Sequence, residues 1–255
     1  MAVAPKAYQQ ARDLILESAH TLLLTGAGVS TRSGIPDFRS PGTGIWQFAD
    51  PLEIASVWGV REDPQRFYRW LRPLAEKMRN ALPNPAHTGF ARLQQMGLLH
   101  TVVTQNIDDL HEQAGTHSVL HVHGSAQDGL CMGCGLHLEA QHFWPLLYLT
   151  ETVPVCPHCG DIVKPDVVLF GEELPAHLLA QAQQAALTCD LVIVAGASLE
   201  VMPTADLPLL AKRAGARILT LNLTATLLDD QSDLLIHEDV TRSVPRLVEM
   251  CLQRR

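Results

Sequence analysis

Short, continuous apolar runs alternate along the chain with segments in which apolar residues recur every three or four positions. Such apolar runs are typical of strands buried on both faces, whereas the second pattern is typical of amphipathic helices. Their alternation predicts an α/β fold built on a doubly wound parallel sheet. The predicted strands cover residues 21–25, 98–104, 118–122, 191–195, 217–221 and 234–237, and the predicted helices cover residues 8–19, 86–96, 175–188 and 204–214.

Two segments interrupt this alternation. Residues 40–85 are punctuated by prolines and have a helical pattern, clearest over residues 64–80, whereas residues 125–163 are rich in Cys, Gly and His. We interpret both as insertions, one helical and one metal-binding, that together form a smaller domain. Residues 1–39, 86–124 and 164–255 are then predicted to form one discontinuous domain around the sheet.

Composition narrows the functional classes. The chain has 255 residues, of which 47% are hydrophobic, and this is enough for one substantial core with a small second lobe. A formal net charge of −8 argues against a general nucleic-acid binder, which usually carries a basic face. No apolar run reaches the roughly 20 residues that span a bilayer, and the first ten residues lack the pattern of a signal peptide. We expect a cytoplasmic monomer without a membrane or nucleic-acid partner.

Two matched Cys-x-x-Cys-Gly motifs lie in the second insertion. Their cysteines are Cys131, Cys134, Cys156 and Cys159. Each motif turns two sulfurs toward one ion, so the pair predicts a tetrahedral zinc site. The alternative is a redox dithiol, which normally uses one such motif at the start of a helix. Four thiolates leave no open position, so we expect one structural zinc ion, and we expect Cys189 and Cys251 to be buried small apolar side chains.

A glycine-rich turn, Gly26-Ala27-Gly28, follows the first predicted strand. A strand that opens into such a turn presents backbone N–H groups without side chains, which suits a ligand that carries phosphates. The common dinucleotide-binding pattern has a third glycine where this chain has Thr31. The run continues over residues 34–39 as Gly-Ile-Pro-Asp-Phe-Arg, which places a carboxylate, an aromatic ring and a guanidinium beside the phosphate loop.

Polar residues also follow the next two predicted strands. Helix capping and turn formation would explain the Asn and Asp of the run Gln105-Asn106-Ile107-Asp108, but not the Gln at a strand end. His121 and His123 lie two positions apart and are expected to share one face of a strand end. Because Gly124 follows directly and would let a ligand approach the ring, we favour His123 as a general base, with His121 as its neighbour.

In order and spacing, these motifs closely resemble those of sirtuins, the NAD-dependent protein deacylases. The resemblance extends over residues 14–240 and rests on residues 26–39, 104–108, 123–124, 164–172 and 196–199 together with the four cysteines. It implies a Rossmann-like NAD-binding domain, with a zinc ribbon and a helical insertion as the smaller lobe. It also implies that the protein removes an acyl group from a lysine side chain, consuming NAD and forming nicotinamide and an O-acyl-ADP-ribose.

The same resemblance implies roles for individual residues. His123 would act as the base on the ribose hydroxyls of NAD, and Asn106 would orient the ribose or a water molecule. The implied NAD-binding residues are Gly26, Ala27, Gly28, Thr31, Asp37, Phe38, Arg39, Gln105, Ile107, Asp108, Ala197, Ser198, Asn222, Leu223 and Val240. An acyl-lysine protein substrate would bind as an added strand. The implied substrate-binding residues are Val168, Phe170, Gly171 and Glu172.

Some positions depart from the family pattern. Ala197 stands where threonine is usual, and His121 stands where an acidic residue is common. Sirtuins that prefer succinyl or malonyl groups usually carry a Tyr-x-x-Arg pair in the helix of the small lobe. Here Leu71 follows Tyr68 at the arginine position, and Arg72 is rotated by about 100° around the helix. We therefore expect a preference for uncharged acyl groups such as acetyl.

Three other functions are compatible with parts of this pattern. A mono-ADP-ribosyltransferase could pass ADP-ribose from the same pocket to a protein nucleophile. A non-catalytic NAD-sensing module could use the zinc ribbon for protein contact, although His123 and Asn106 would then have no evident use. A nicotinamide-dependent oxidoreductase would leave the Gly-Ile-Pro-Asp-Phe-Arg run unexplained. We rank all three below deacylation.

Overall fold

A parallel sheet forms the centre of the molecule in the computed structural model, which describes residues 5–38, 44–45, 50–148 and 152–253. The strands are β1 Thr21–Thr25, β2 Thr101–Thr104, β3 Val119–His121, β4 Gly124–Cys131, β5 His137–Leu138, β6 Val163–Val167, β7 Leu191–Ala195, β8 Arg217–Leu221 and β9 Leu234–Ile236. Six of them form the main sheet in the order β3-β2-β1-β7-β8-β9, with every pairing parallel. The chain moves outward from β1 to β3 and returns on the other side of β1 at β7. The carboxyl ends of β1 and β7 therefore flank a topological switch point, where such sheets bind ligands.

Helices cover both faces of this sheet. The helices that pack on it are α1 Pro5–Glu17, α5 Pro85–Gln95, α8 Ala176–Thr188, α9 Leu207–Arg213 and α10 Val240–Leu252. The other helices of the described residues are α2 Pro51–Ile54, α3 Val57–Glu62, α4 Pro64–Asn80, α6 Leu110–Gln113 and α7 Ala140–Tyr148. Side chains alternate between the faces along β1, since Leu23 packs with α1, α5 and α10, whereas Leu22 and Leu24 pack on the side of α8 and α9. This two-sided burial explains why the strand sequences are apolar throughout.

A second hydrophobic core lies between the helical insertion and a three-stranded antiparallel sheet of order β5-β4-β6. Phe67 and Tyr68 of α4 pack there with Phe143 of α7 and Val163 of β6. The small sheet follows the main sheet without a linker, because β4 begins three residues after β3 ends. This separate core supports a smaller domain, and the residue boundaries given above for the two domains stay a prediction.

The α/β fold with a parallel sheet is confirmed, and several of its elements match the predictions residue for residue. β1, β7, β8 and α4 have the predicted bounds, while β2 and β3 are shorter than expected. One detail is wrong: β3 ends at His121, so His123 lies in the turn before β4 and not on the strand. The segment 204–214 also begins as a 3-10 turn over Thr204–Asp206 and becomes α-helical at Leu207. Among the described helices, none has both the length and the apolar character needed to cross a membrane.

Candidate active site

A cleft of about 1760 Å³ opens at the switch point, between the carboxyl edge of the main sheet and the smaller core. Most of the residues implied in binding by the sequence line it. They are Gly26, Ala27, Gly28, Thr31, Asp37, Phe38, Gln105, Ile107, His123, Val168, Phe170, Gly171, Glu172, Ser198, Asn222, Leu223 and Val240. Residues that are far apart in the chain therefore meet in one site, because parallel strands end at the same edge of the sheet.

The glycines of the first turn are required by contact between two loops. A Cβ atom on Gly28 would lie 2.7 Å from the carbonyl oxygen of Gly196, and one on Gly26 would lie 2.9 Å from Cα of Ala197. The amides of Gly26 and Gly28 donate to the carbonyls of Ala195 and Gly196, at 3.2 and 2.8 Å. These two amides are therefore already engaged within the protein, which differs from the expectation that the whole turn presents free N–H groups. Instead, the glycines allow a close approach of the turns after β1 and β7.

Two buried side-chain amide atoms beside this turn lack hydrogen-bond partners in the described part of the chain. Gln105 Nε2 and Asn106 Oδ1 are inaccessible to solvent and accept or donate no hydrogen bond. Gln105 lines the main cleft, whereas Asn106 and Asp108 line a small pocket of about 20 Å³ that adjoins it next to Phe38. Unpaired buried polar groups are rare in native proteins, and these two atoms differ from the other unpaired ones, such as Ser243 Oγ and Thr116 Oγ1, in belonging to residues that line the cleft or its adjoining pocket.

Ser30 organises the polar side chains behind this pocket. Its hydroxyl accepts from Asn106 Nδ2 at 3.1 Å and donates to Asp108 Oδ2 at 2.8 Å. His87 Nε2 lies 3.4 Å from the same hydroxyl, and the backbone N–H of Asn84 donates to His87 Nδ1 at 3.3 Å. Because Nδ1 accepts this hydrogen bond, the proton of the neutral His87 ring is on Nε2, which donates to Ser30 as a second donor. The Ser30 hydroxyl thus donates one hydrogen bond and accepts two, which uses its full capacity.

Burial favours the neutral forms of the titratable side chains in this network. It lowers the pKa of His87 to about 4 and that of His111, which contacts the His87 ring edge to face, to about 3. Burial also raises the pKa of Asp108, against the opposing effect of its hydrogen bond from Ser30. Sequence reasoning did not assign Ser30, His87 or His111 to the site. Ser30 lies inside the glycine-rich motif and could have been included, whereas the two histidines are isolated in the sequence and carry no motif signal.

His123 lies at the edge of the cleft with its two ring nitrogens in different environments. Nδ1 is 3.1 Å from the carbonyl oxygen of Gln105, and Nε2 is 3.3 Å from the hydroxyl of Thr204. Since a carbonyl only accepts, Nδ1 carries the proton and Nε2 keeps its lone pair. Burial lowers the pKa of His123, which favours the neutral ring. Thr204 was not identified from the sequence, where no motif distinguishes it.

A glycine is required at position 124 for strand pairing, and not for the expected reason, which was access of a ligand to His123. Its φ is +76°, and a Cβ atom there would lie 2.1 Å from the carbonyl oxygen of Asp166. The glycine therefore allows β4 to pair with β6, and access of a ligand to His123 is not what requires it.

The segment after β6 is held in place by hydrogen bonds within the protein. The amide of Val168 donates to the carbonyl of His123 at 2.9 Å, and the amide of Phe170 donates to that of Ala55 at 2.9 Å. Glu172 accepts from the amide of Leu169 at 2.8 Å and lies 3.2 Å from Nζ of Lys164, which is 3% exposed. Glu172 thus has a structural role here, in addition to lining the cleft.

Residues of the far end of the cleft come from the ends of β7 and β8. Ser198 and Leu223 line it, but Ala197 is buried beneath the loop and does not. Asn222 lines the cleft while its side-chain amide donates to the carbonyl of Thr224 at 2.9 Å, which is also what a simple turn residue would do. The expected contact of Arg39 falls outside the described residues.

The four motif cysteines form one cluster. Their sulfur atoms all lie within 4.8 Å of one another, with Sγ–Sγ distances of 3.4 Å for Cys131–Cys159 and 3.7 Å for Cys134–Cys156. Tetrahedral Zn–S bonds of about 2.3 Å place sulfurs about 3.8 Å apart, so the cluster fits a zinc ion. Together the four thiolates would complete its shell, which supports a structural role for the metal.

Comparison with known protein families identifies the family to which this chain belongs. The model of the Sir2 family matches residues 26–203, which is most of the chain. The chain belongs to the Sir2 family. It is 40% identical over 231 residues to the NAD-dependent protein deacetylase 2 of Caldanaerobacter subterraneus subsp. tengcongensis, covering 91% of this chain and 90% of that protein.

Solved Sir2 structures share the complete fold. One is a Sir2 enzyme structure from work on the structural basis for the mechanism and regulation of Sir2 enzymes. It has a TM-score of 0.92 and 38% sequence identity, and the match covers 99% of this chain and 100% of that chain. Another, a Sir2–p53 peptide–NAD+ complex, has a TM-score of 0.87 and 36% identity, and covers 95% of this chain and 97% of its own.

The Sir2 family match ends before the last part of the cleft. Asn222, Leu223 and Val240 lie beyond residue 203, yet they line the same cleft as the matched residues. In this sirtuin the cleft is therefore completed by the turns after β8 and β9, which the sheet order brings beside β7.

Proposed function

We propose that this sirtuin is an NAD-dependent protein lysine deacylase that prefers acetyl groups and forms nicotinamide, free lysine and O-acetyl-ADP-ribose. One observation carries the proposal: two buried amide atoms without hydrogen-bond partners, Gln105 Nε2 and Asn106 Oδ1, lie near a neutral imidazole, His123, at the cleft of a Sir2-family fold. An amide-bearing ligand such as nicotinamide would satisfy both orphaned groups.

NAD fits the cleft by the chemistry of its lining. The tightly packed turns at Gly26 and Gly196 leave a surface without side chains beside Thr31, which suits the pyrophosphate. Gln105, Asn106 and Asp108 would hold the nicotinamide, and Phe38 would shield the ribose carbon next to it from water. Ser198, Asn222, Leu223 and Val240 would complete the adenosine end. NAD supplies the good leaving group and the electrophilic anomeric carbon, and the protein contributes position and electrostatics.

His123 is proposed as the general base for the ribose hydroxyls. Its Nδ1 proton is fixed on the carbonyl of Gln105, so Nε2 is the atom that takes a proton. Thr204 lies 3.3 Å from Nε2 and would hold the ring in this orientation until a ribose hydroxyl replaces it. Asn106, through the hydrogen bond from its Nδ2 to Ser30, would orient the ribose or a water molecule.

The acyl-lysine is proposed to enter as part of an extended segment that adds a strand to the cleft. The amides of Val168, Leu169 and Phe170 are all engaged within the protein, so they are poor donors for that strand. By contrast, the amides of Ser198 and Leu199 have no backbone partner within the part of the chain that the structure describes. The loop after β7 is therefore the better candidate for pairing with the substrate, with the amide of Ser198 as its first donor, since Leu199 has a left-handed backbone conformation with φ of +58°.

Side chains of α4 support the preference for an uncharged acyl group. Phe67, Leu71 and Leu74 line the cleft as an apolar stripe of the helix, and Lys77 follows them one turn further along it. Tyr68 is fully buried and bonds to the carbonyl of Val163, and Arg72 donates to the carbonyl of Leu147 at 3.0 Å. Neither group of a Tyr-x-x-Arg type grip therefore faces the acyl chain.

The decisive experiment measures nicotinamide release from NAD with and without an acetyl-lysine peptide. We expect release that depends on the peptide, and loss of the deacetylated product in His123→Ala. A matched control is His137→Ala, since His137 is an exposed histidine outside the cleft. Nicotinamide release without peptide would favour ADP-ribosyl transfer or NAD hydrolysis. No nicotinamide release with any acyl peptide would favour the non-catalytic NAD-sensing module.

The cytoplasmic location, the monomeric state and the lack of nucleic-acid contact stay predictions from the sequence. Size-exclusion chromatography with light scattering tests the second directly, since a mass near 27.9 kDa would identify the monomer.

A further inference from the structure

His121 lies behind the active-site loop, outside the cleft, and bridges two acceptors. Its Nδ1 is 3.1 Å from the carbonyl oxygen of Asn106, and its Nε2 is 2.7 Å from a carboxylate oxygen of Glu112. A carbonyl and an ionised carboxylate only accept hydrogen bonds, so both contacts are hydrogen bonds only when both ring nitrogens carry a proton. The geometry is therefore that of an imidazolium ion.

The neighbouring histidine makes the contrast clear. His123 contacts the preceding carbonyl, that of Gln105, through the same ring atom, but its Nε2 faces the hydroxyl of Thr204 and no carboxylate. The two histidines thus hold consecutive carbonyls of one loop. One is arranged to be neutral and lies in the cleft, whereas the other is arranged to be charged and lies behind it.

Asn106 is the residue that this arrangement fixes. Its backbone N–H donates to Thr104 Oγ1 at 3.0 Å, and its carbonyl accepts from His121. With both ends of the residue held, its side chain projects between Ser30 and the pocket with Oδ1 unpartnered. The carboxylate of Glu112 belongs to α6, so the imidazolium also ties the start of that helix to the loop.

The geometry points to His121 as a positioning residue that, in its charged form, ties the Asn106 carbonyl to Glu112 and so holds the Asn106 amide in place for catalysis. This inference rests on the proposed function, because it takes Asn106 to act on NAD. This role depends on a departure from the family pattern, because His121 stands where an acidic residue is common.

Other titratable groups around the ring favour the same charge state. Burial by itself lowers the pKa of His121, but the hydrogen bond and charge of Glu112, the hydrogen bond to the Asn106 carbonyl and the charge of Asp108 together raise it. His111 of α6 is held neutral by burial. Of the other elements packed on β3, β2 has no titratable side chain and α8 has only His177. A raised pKa means that the bridge persists to a higher pH than an ordinary histidine would allow and is lost as pH rises through that pKa.

The test compares wild type, Glu112→Gln, His121→Gln and a control, His137→Gln, which removes a histidine near Asp128 outside the cleft. Peptide-dependent nicotinamide release is measured from pH 6 to 10, and NMR of the ring nitrogens reports the protons on His121. In wild type we expect two ring protons at pH 7 and an alkaline fall in kcat. In Glu112→Gln both transitions should move about one pH unit lower, because the stabilising charge is gone.

His121→Gln should lower kcat about tenfold without the alkaline fall, while KM for the peptide stays nearly unchanged, as expected for loss of one charged hydrogen bond behind the site. The control should resemble wild type. A single ring proton on His121 at pH 7, or the same pH profile in Glu112→Gln as in wild type, would overturn the inference. If His121→Gln does not fold, Glu112→Gln still tests the inference. The Glu112 side chain is 42% exposed, so its replacement by Gln should not prevent folding. Absence of peptide-dependent release in wild type would instead contradict the proposed function, and the NMR result would still judge the bridge.

Discussion

At the scale of single residues, the partner of each ring nitrogen separates two histidines that the sequence alone cannot distinguish. His121 and His123 are two positions apart, and both bind a loop carbonyl through Nδ1. Glu112 on the far side favours the charged form of His121, and Thr204 on the far side leaves His123 neutral, as its proposed role as a base requires. The chemistry of an imidazole is thus decided by its second contact.

The pH dependence of catalysis follows from the neutral state of His123. Burial lowers its pKa, so the base is available at neutral pH and is lost as pH falls through that lowered value, below the ordinary value of about 6.5. We expect the acid fall of kcat/KM for the acetyl peptide to lie below pH 6.5. Initial rates between pH 4.5 and 8 would show this. An acid fall above pH 6.5 would contradict it, unless His137→Ala removed that fall and so traced it to a group outside the cleft.

At the scale of elements, α4 sets the shape of the proposed acyl site. Its apolar stripe and Lys77 line the cleft, while the polar ends of Tyr68 and Arg72 bind backbone carbonyls of β6 and α7. A helical shift of one position is sufficient for this difference, since each residue advances about 100° around the axis.

Acetyl-lysine should therefore be turned over at least about tenfold faster than succinyl-lysine on the same peptide, because an unpaired carboxylate in an apolar channel costs several kcal/mol. Competition between the two peptides, followed by mass spectrometry, measures the ratio of kcat/KM directly. A butyryl-lysine peptide is the matched control, since it resembles succinyl-lysine in length but has no charge. Equal rates for acetyl and succinyl peptides would show that a cation in the cleft compensates.

At the scale of the whole molecule, the cysteine cluster holds the smaller lobe together. Cys131 ends β4, while Cys156 and Cys159 belong to the loop that leads into β6, so one ion would join the ends of a sheet of only three strands. Small sheets bury little apolar surface, and metal binding supplies folding free energy that such a core lacks.

Cys131→Ala should therefore misfold or lose bound zinc together with stability, and not simply reduce the rate. Metal content by atomic emission and thermal unfolding by circular dichroism are the measurements. Cys189→Ala is the matched control, because Cys189 is buried outside the cluster and its loss should leave one zinc ion per chain. A soluble, metal-free and fully active Cys131→Ala protein would show that the site is dispensable.

Much of this protein is determined by its sequence. The periodic apolar pattern was sufficient for the parallel sheet, since strands buried on both faces have continuous apolar sequences such as Leu22-Leu23-Leu24. Local motifs were sufficient for the zinc cluster and for the glycine-rich turn, because Cys-x-x-Cys and glycine-rich turns bring their groups together over a few residues. Most of the cleft lining followed instead from the resemblance to sirtuins. The family also followed from these motifs.

Only the tertiary structure decided how those groups work. Ser30, His87 and Thr204 join the site through side chains that meet across 50 or more positions of sequence, and no local pattern encodes such meetings. The glycines at 26 and 28 proved to serve contact with the turn after β7, and Gly124 proved to serve strand pairing. The charge of each histidine likewise depended on which acceptor the fold placed beside it. Sequence determines local geometry directly, but long-range contacts and burial, which set protonation states, exist only in the folded chain.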